Sequence, residues 1–235
     1  MSAFAAQMDA VASDQIPFAI ALGLTWTAKD VLAAEKRTIR QVFDRPTPFS
    51  VNAFQILPAT KTTLVASVEQ KAGAGSNNAR HWFNPQVFGG PRVHKAFERH
   101  LIAVGAMPSD RFAMPTRVCP KDAYGNVRGS VYMQILSDVG AQAVDIWQNA
   151  TINSRKRNKR ERFFVMRAAS GTPLAIAKRK GSYVTSYFMF VRRAPNYKKR
   201  FPFFEVGQSV GDVVSATNFR RAFAYALSTR RRRAA

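Results

Sequence analysis

The stretch Asp14–Phe43, DQIPFAIALGLTWTAKDVLAAEKRTIRQVF, limits what this chain can fold into more than any other. Asp14 suits a helix N-cap, and Pro17 falls in the first turn, where its missing N–H is no loss. Ile20, Leu24, Ala28, Val31, Ile39 and Val42 recur at helical spacing. Asp44-Arg45-Pro46-Thr47-Pro48 then stops the pattern, because two prolines cannot continue a helix. The pattern predicts one helix about 40 Å long at 1.5 Å per residue. No charge lies between Gln15 and Ala28, whereas the second half carries Lys29, Asp30, Glu35, Lys36, Arg37 and Arg40. A helix apolar nearly all round must be covered nearly all round. Two covers fit equally: the protein's own core, or another subunit, with Ile20, Leu24, Trp26 and Val31 as candidate contacts. The uncharged run is shorter than the roughly 20 residues of a membrane span, so no membrane partner is expected.

The rest of the chain alternates in type. Residues 1–13 suit a short helix or an arm. Pro46 and Pro48 predict a rigid extended corner, and Thr62–Gln70 alternates as a strand. Lys71–Arg80, rich in Gly, Ala and Asn, predicts a mobile loop. His81–Gly90 has a turn at Asn84-Pro85 and a double-Gly stop. Val93–Ala103 and Ser130–Ala143 have helical spacing, and Val144–Asn149 extends the second. Between them, Val104–Lys121 holds Pro108, Pro115 and Pro120 and predicts an irregular surface excursion. Phe163–Arg167, Pro173–Lys180 and Tyr187–Arg193, punctuated by Gly171 and Gly181, predict an antiparallel meander, continued by Phe201–Val206. Val210–Ser228 reads as a closing helix, with Arg230–Arg233 suiting its C-terminus. The expected fold class is α+β in a single domain, 1–235. It has a long N-terminal helix (14–43), an insertion-like irregular middle (71–150), a small antiparallel sheet or barrel (162–206) and a C-terminal helix (210–228).

Chemistry is sparse. His81, His94 and His100 show no metal-ligand spacing, and Cys119 has no CxxC partner. One cysteine excludes an intramolecular disulfide and fits a reducing compartment. The start MSAFAAQMDA lacks the pattern of a signal peptide. Asp30 with Glu35, Asp138 with Asp145, and Glu98 alone form no evident acid–base couple. No phosphate-binding glycine loop or nucleophile elbow is present. No cofactor is expected, and nothing positive supports an enzyme. A metal-dependent nuclease would need about three converging acids, from a chain with 14 acids against 36 Lys and Arg.

That imbalance gives a net charge of +22, which repels itself unless something acidic is near. Arg155, Lys156, Arg157, Lys159 and Arg160 form the densest run, and Lys198, Lys199 and Arg200 a second. Both are candidate contacts to DNA or to an acidic protein. They equally suit solvated loops that keep a self-associating protein soluble. The aromatic strands YFMFV and FPFFE lack an RNA-recognition signature and read as core.

Several segments resemble a known group. IPFAIALGLTWTAKDV, FDRPTPFSVNAF, PRVHKAFERHL and DAYGN, with a basic run leading into a meander and a closing helix, look like tail-completion or neck proteins of tailed bacteriophages. That group includes the minor tail protein Z of phage lambda. The resemblance implies a homo-oligomeric ring in the virion, at the head–tail junction or tail. It would contact a portal-side connector and tail-tube proteins, with DNA passing the lumen without sequence readout. It implies no active site. The alternatives are a free, non-specific nucleic-acid-binding protein and, further off, the nuclease.

Overall fold

The computed structural model describes residues 15–71, 80–141 and 161–233; side chains are described for all of these except 80–82 and 230–233. The expectations for residues 1–13, the Asp14 cap, the body of the Lys71–Arg80 loop, Val144–Asn149 and Arg155–Arg160 lie outside them. The chain is α+β and divides into two compact units, residues 1–87 with 199–235, and residues 88–198.

The first unit is built on helix α1, Ile16–Val42, and helix α6, Phe203–Arg233, which pack along one another. The predicted long helix therefore forms almost in full, with Pro17 in its first turn. Phe43 ends it by turning extended while its N–H still bonds Ile39 O. The corner expected to be extended is instead a one-turn helix, α2, Pro48–Val51. Pro48 occupies its first turn, and the Thr47 hydroxyl accepts from Ser50 N, so the same prolines that stop α1 start the next turn. Strand β1, Phe54–Leu57, pairs antiparallel with β2, Ser67–Gln70, so only the end of the predicted Thr62–Gln70 strand is paired. Helix α3, Arg80–Phe88, runs through Pro85, where a turn is expected, and stops at Gly89 and Gly90. Both glycines have positive φ, so the double-Gly stop holds. Phe43, Phe54, Phe83, Phe201 and Phe203 form one ring cluster, with centroids 5.0–6.1 Å apart. Ile39, Val51 and Val87 complete that core. Phe201–Val206 is thus not a strand. Phe201 is a core plug, and α6 begins at Phe203, well before the predicted Val210.

The second unit is a four-stranded antiparallel sheet under two helices. Its strands are β4, Phe112–Pro115; β5, Glu161–Arg167; β6, Pro173–Lys180; and β7, Tyr183–Val191, in the order β4-β7-β6-β5. The meander is as predicted. Its first strand was expected at Phe163 and starts at Glu161. Its last runs from Tyr183, because Gly181-Ser182 is a two-residue hairpin turn with Gly181 at φ +63°. The fourth strand lies inside the stretch expected to be irregular; Pro115 is tolerated there because β4 is an edge. Helices α4, Ala96–Ala103, and α5, Gly129–Val139, cover one face of the sheet. Phe97, Leu101, Ile135, Phe163, Ile176 and Phe188 are its principal core side chains. Gly140 in the left-handed region ends α5 before the predicted Ala143. A short ladder, β3, Gly90–Pro91, with β8, Asn196–Tyr197, ties the unit's two ends.

Candidate functional site

The two long helices meet through their smallest residues. Ala19, Ala21, Gly23, Ala28 and Ala34 are the buried small positions of α1, and Ala222 and Ala226 those of α6. A Cβ on Gly23 would lie 3.2 Å from Phe219 Cα, so the backbones approach closely. Asn218 crosses the seam, donating to Asp30 Oδ2 at 2.7 Å. Larger apolar side chains lie outside it. Leu24 is 36% exposed, Phe204 59% and Val213 76%, while Tyr225, 49% exposed, keeps its ring edge on Trp26 across the seam. This is an inverted arrangement for a soluble helix pair, where large residues are normally inside. Of the sequence-predicted contacts, Leu24 lies on this outward surface and Ile20 is half-buried. Trp26 packs edge-on to Tyr225 at 6.4 Å, with Arg221 over its ring at 4.8 Å. Val31 faces Gly207. The last two therefore contribute to the helix seam.

Near the start of α6 the seam holds a group that sequence reasoning did not single out. Glu35 has no exposed surface, and among the described residues neither carboxylate oxygen has a hydrogen-bond partner. Burial, helped by the Glu205 carboxylate, pushes its pKa up to about 8. It is therefore largely protonated at neutral pH. Glu205 itself is held below the usual carboxylate range by hydrogen bonding from Lys199, with which it forms an ion pair.

The predicted basic residues divide. Arg155, Lys156, Arg157, Lys159 and Arg160 lie outside the described residues. Lys198 and Arg200 are exposed, while Lys199 is occupied by Glu205. The described sheet adds another group at the β6–β7 turn. Arg162 sits directly opposite Arg179, and Lys180 opposite Glu161.

Several buried or half-buried polar side chains tie elements of the second unit together. Arg92 holds Glu98 through two 2.6 Å bonds, both side chains being buried. Glu98 also accepts from Lys95 N at 2.7 Å and Ala113 N at 2.8 Å. Burial raises its pKa, but the bonds from Arg92 and these amides outweigh it and hold the group below its ordinary value. His94 stacks on Phe112 at 4.5 Å, with its Nε2 2.9 Å from Arg111 O. Asp138 accepts from Phe163 N at 2.9 Å, joining α5 to β5. Cys119 is buried, and that burial pushes its thiol pKa up. Among the described residues, no three His, Cys, Asp or Glu side chains come together as a metal site would need.

Scans against family models, curated proteins and solved structures each return no match to this chain.

Proposed function

We propose that this chain is a structural virion protein of a tailed phage. It acts as a head–tail connector (neck), tail-completion or tail-terminator component that assembles as a homo-oligomeric ring around the DNA channel. One observation carries the assembly part of this reading: the α1–α6 pair leaves the apolar side chains of Leu24 and Val213 exposed. Large apolar side chains left exposed on a packed helix pair are what a neighbouring copy would cover. The portal-side connector, the tail-tube proteins and the DNA passenger rest on the sequence resemblance and on the net charge of +22. Such a conduit needs phosphate-directed charge and no base readout.

The test is size exclusion with light scattering on the parent and on Val213→Asp. Val213 is so exposed that a carboxylate there adds little cost to an isolated subunit. The parent should elute as a defined oligomer and the variant as a smaller species with the same circular dichroism. A parent that stays monomeric at tens of micromolar, or a variant with unchanged mass, refutes the assembly reading. A monomer whose DNA affinity falls steeply with salt supports the free nucleic-acid-binding alternative instead.

One observation favours a second reading. By length and composition α1 is apolar enough to cross a membrane, and only 22% of its most apolar window is buried. Seams of small residues also recur between membrane helices. Flotation of the parent with phospholipid vesicles in high salt would support this reading over the ring. Sedimentation without lipid would remove it.

A further inference from the structure

Strand register sorts the side chains of the four-stranded sheet onto two faces. Ala113, Phe163, Ile176, Phe188 and Phe190 belong to the face that α4 and α5 cover. On the other face one row crosses all four strands: Met114 is opposite Met189, Met189 opposite Ala175, and Ala175 opposite Met166. Phe164, Ala177 and Ser186 form the next row on that face, and Arg162, Arg179 and Val184 the row after it. An antiparallel sheet with one solvated face ordinarily alternates apolar inward and polar outward. Here the outward rows are apolar as well. Met114 is 39% exposed, Met189 42% and Val184 48%, while Ala175 and Ala177 between the larger residues are buried. At the far end of the same face, Met114 and Val191 join Arg193, Ala194, Pro195 and Asn196 around an open hollow of about 410 Å³. Cations therefore flank the apolar middle at both ends, Arg162 and Arg179 at one and Arg193 at the other. Arg179 is held against this face by the Phe164 ring, 5.7 Å away. None of the strand positions on the face is acidic. Among the described residues, no acid forms an ion pair with any of the three arginines.

We infer that this sheet face is a docking surface for an acidic amphipathic helix of a partner protein, laid along the strands with its apolar side on the methionine row. Cations at both ends with no acid between them call for carboxylates on the partner. From Val184 to Arg193 the chain spans about 30 Å at 3.3 Å per residue. That is the length of a helix of about twenty residues at 1.5 Å each. Methionine is unbranched and flexible, so the row can repack around incoming apolar side chains. A twisted sheet offers a saddle, which seats one helix better than it seats a flat bilayer. A second copy of the 88–198 unit would bring twenty Lys and Arg against six Asp and Glu, the wrong sign for this face. The inference stands apart from the ring reading, because it uses neither α1 nor α6.

The test follows fluorescence anisotropy of a labelled synthetic helix of about twenty residues, leucines along one side and glutamates along the other, added to the full chain. Its twin carries lysine for glutamate. The parent should bind the glutamate peptide at least about tenfold more tightly than the twin. Met114→Asp/Met189→Asp should weaken that binding by at least about tenfold, because it puts carboxylates where the acidic helix must bury its apolar side. Both positions are exposed, so its circular dichroism should match the parent's. Met114→Leu/Met189→Leu should bind within about threefold of the parent, since the row stays apolar. Arg162→Gln/Arg179→Gln/Arg193→Gln should bind more weakly and with a shallower salt dependence. Equal binding of the two peptides, no binding of the glutamate peptide at tens of micromolar, or parental binding by the aspartate variant overturns the inference. So does peroxide oxidation of the free parent that reaches Met114 and Met189 no faster than the buried Met107, since the face would then already be covered. If the parent ignores the peptide but floats with anionic phospholipid vesicles, and the aspartate variant does not, the face belongs to a lipid surface and the inference fails. Light scattering on the same variants reads assembly separately, so a failed docking surface and a failed ring are distinguishable.

Discussion

Glu35 makes the stability of the helix pair fall as pH rises, and replacing it should abolish that dependence. An ordinary glutamate ionises near 4.5, whereas burial and Glu205 move Glu35 to about 8. Below pH 4.5 both folded and unfolded chains hold the proton and nothing is lost. Between 4.5 and 8 the unfolded chain has released it and the folded chain has not, so each pH unit subtracts stability. Above 8 both are ionised and the loss levels off. At about 1.4 kcal/mol per pH unit, the ceiling is on the order of 5 kcal/mol. Relaxation and water entry around a buried carboxylate reduce this, and about 2–4 kcal/mol is a realistic span.

Glu35→Met is the informative variant, because it fills a similar volume with no polar atom. It removes the pH-dependent term and also the desolvation of two unpartnered oxygens, about 1–3 kcal/mol. Glu35→Gln removes the first and keeps most of the second. Denaturant unfolding followed by circular dichroism, at constant ionic strength between pH 5 and 8.5, separates them. The parent should weaken steadily across that range relative to both variants. Glu35→Met should be the more stable protein throughout, by the widest margin at pH 8 and above. Parallel parent and Met curves would refute the titration argument. A Met variant weaker than the parent at pH 8 would mean that the carboxylate has a stabilising partner at the seam.

Gly23→Val should cost about 1–3 kcal/mol by forcing apart backbones that a Cβ would meet at 3.2 Å, while Gly23→Ala, helped by helix propensity, should be much milder; both are read from melting temperature. Glu98→Ala should cost the 88–198 unit about 3–5 kcal/mol by leaving Arg92 buried without its partner, and Arg92→Leu/Glu98→Leu should cost less than the two single changes together, as a double-mutant cycle would measure. Because Glu98 is held below its ordinary pKa, its stabilisation is complete above the unfolded value and disappears as pH falls through the folded one, the opposite sense to Glu35. If the outward apolar surface is covered by a second copy, the melting temperature should rise with protein concentration in the parent and stay flat in Val213→Asp.

The elements that sequence reasoning found are those whose cause is local. Helical spacing and two prolines delimit α1, and Gly171 and the Gly181-Ser182 turn delimit the meander strands. What it missed depends on partners distant in the chain. Phe112–Pro115 is too short and proline-bounded to look like a strand. It becomes one because β7 offers an edge between seventy and eighty residues later, with Phe112 opposite Val191 and Pro115 opposite Phe188. Phe201–Val206 has strand-like composition, but Phe201 is drawn into the ring cluster and the helix starts beyond it. The candidate site divides in the same way. An uncharged helix half signalled a surface in need of cover. Spacing alone did not say that Trp26 and Val31 would turn to α6 and Leu24 outward. Glu35 carried no signal, because a glutamate at helical spacing normally reaches solvent. The Arg162–Arg179 pair needs the β5–β6 register, which only the fold supplies.

The two units divide the demands on this protein. Residues 88–198 hold twenty Lys and Arg against six Asp and Glu, whereas the rest of the chain holds sixteen against eight. The excess positive charge is thus concentrated in residues 88–198, and the exposed apolar residues Leu24 and Val213 belong to the helix pair. On the reading proposed above, these pull in opposite directions during assembly. Bringing copies together through α1 and α6 gathers +22 per subunit, which opposes association over a Debye length of about 10 Å at 0.1 M salt. A polyanion bound to the basic residues of 88–198 removes that opposition without touching the apolar contact. Added salt should therefore strengthen self-association in the absence of DNA and weaken DNA binding, and an oligonucleotide at low salt should promote the oligomer as salt does. Light scattering across a salt series, with and without the oligonucleotide, tests the coupling. An oligomer indifferent to both would mean that the charge faces solvent and has no part in assembly.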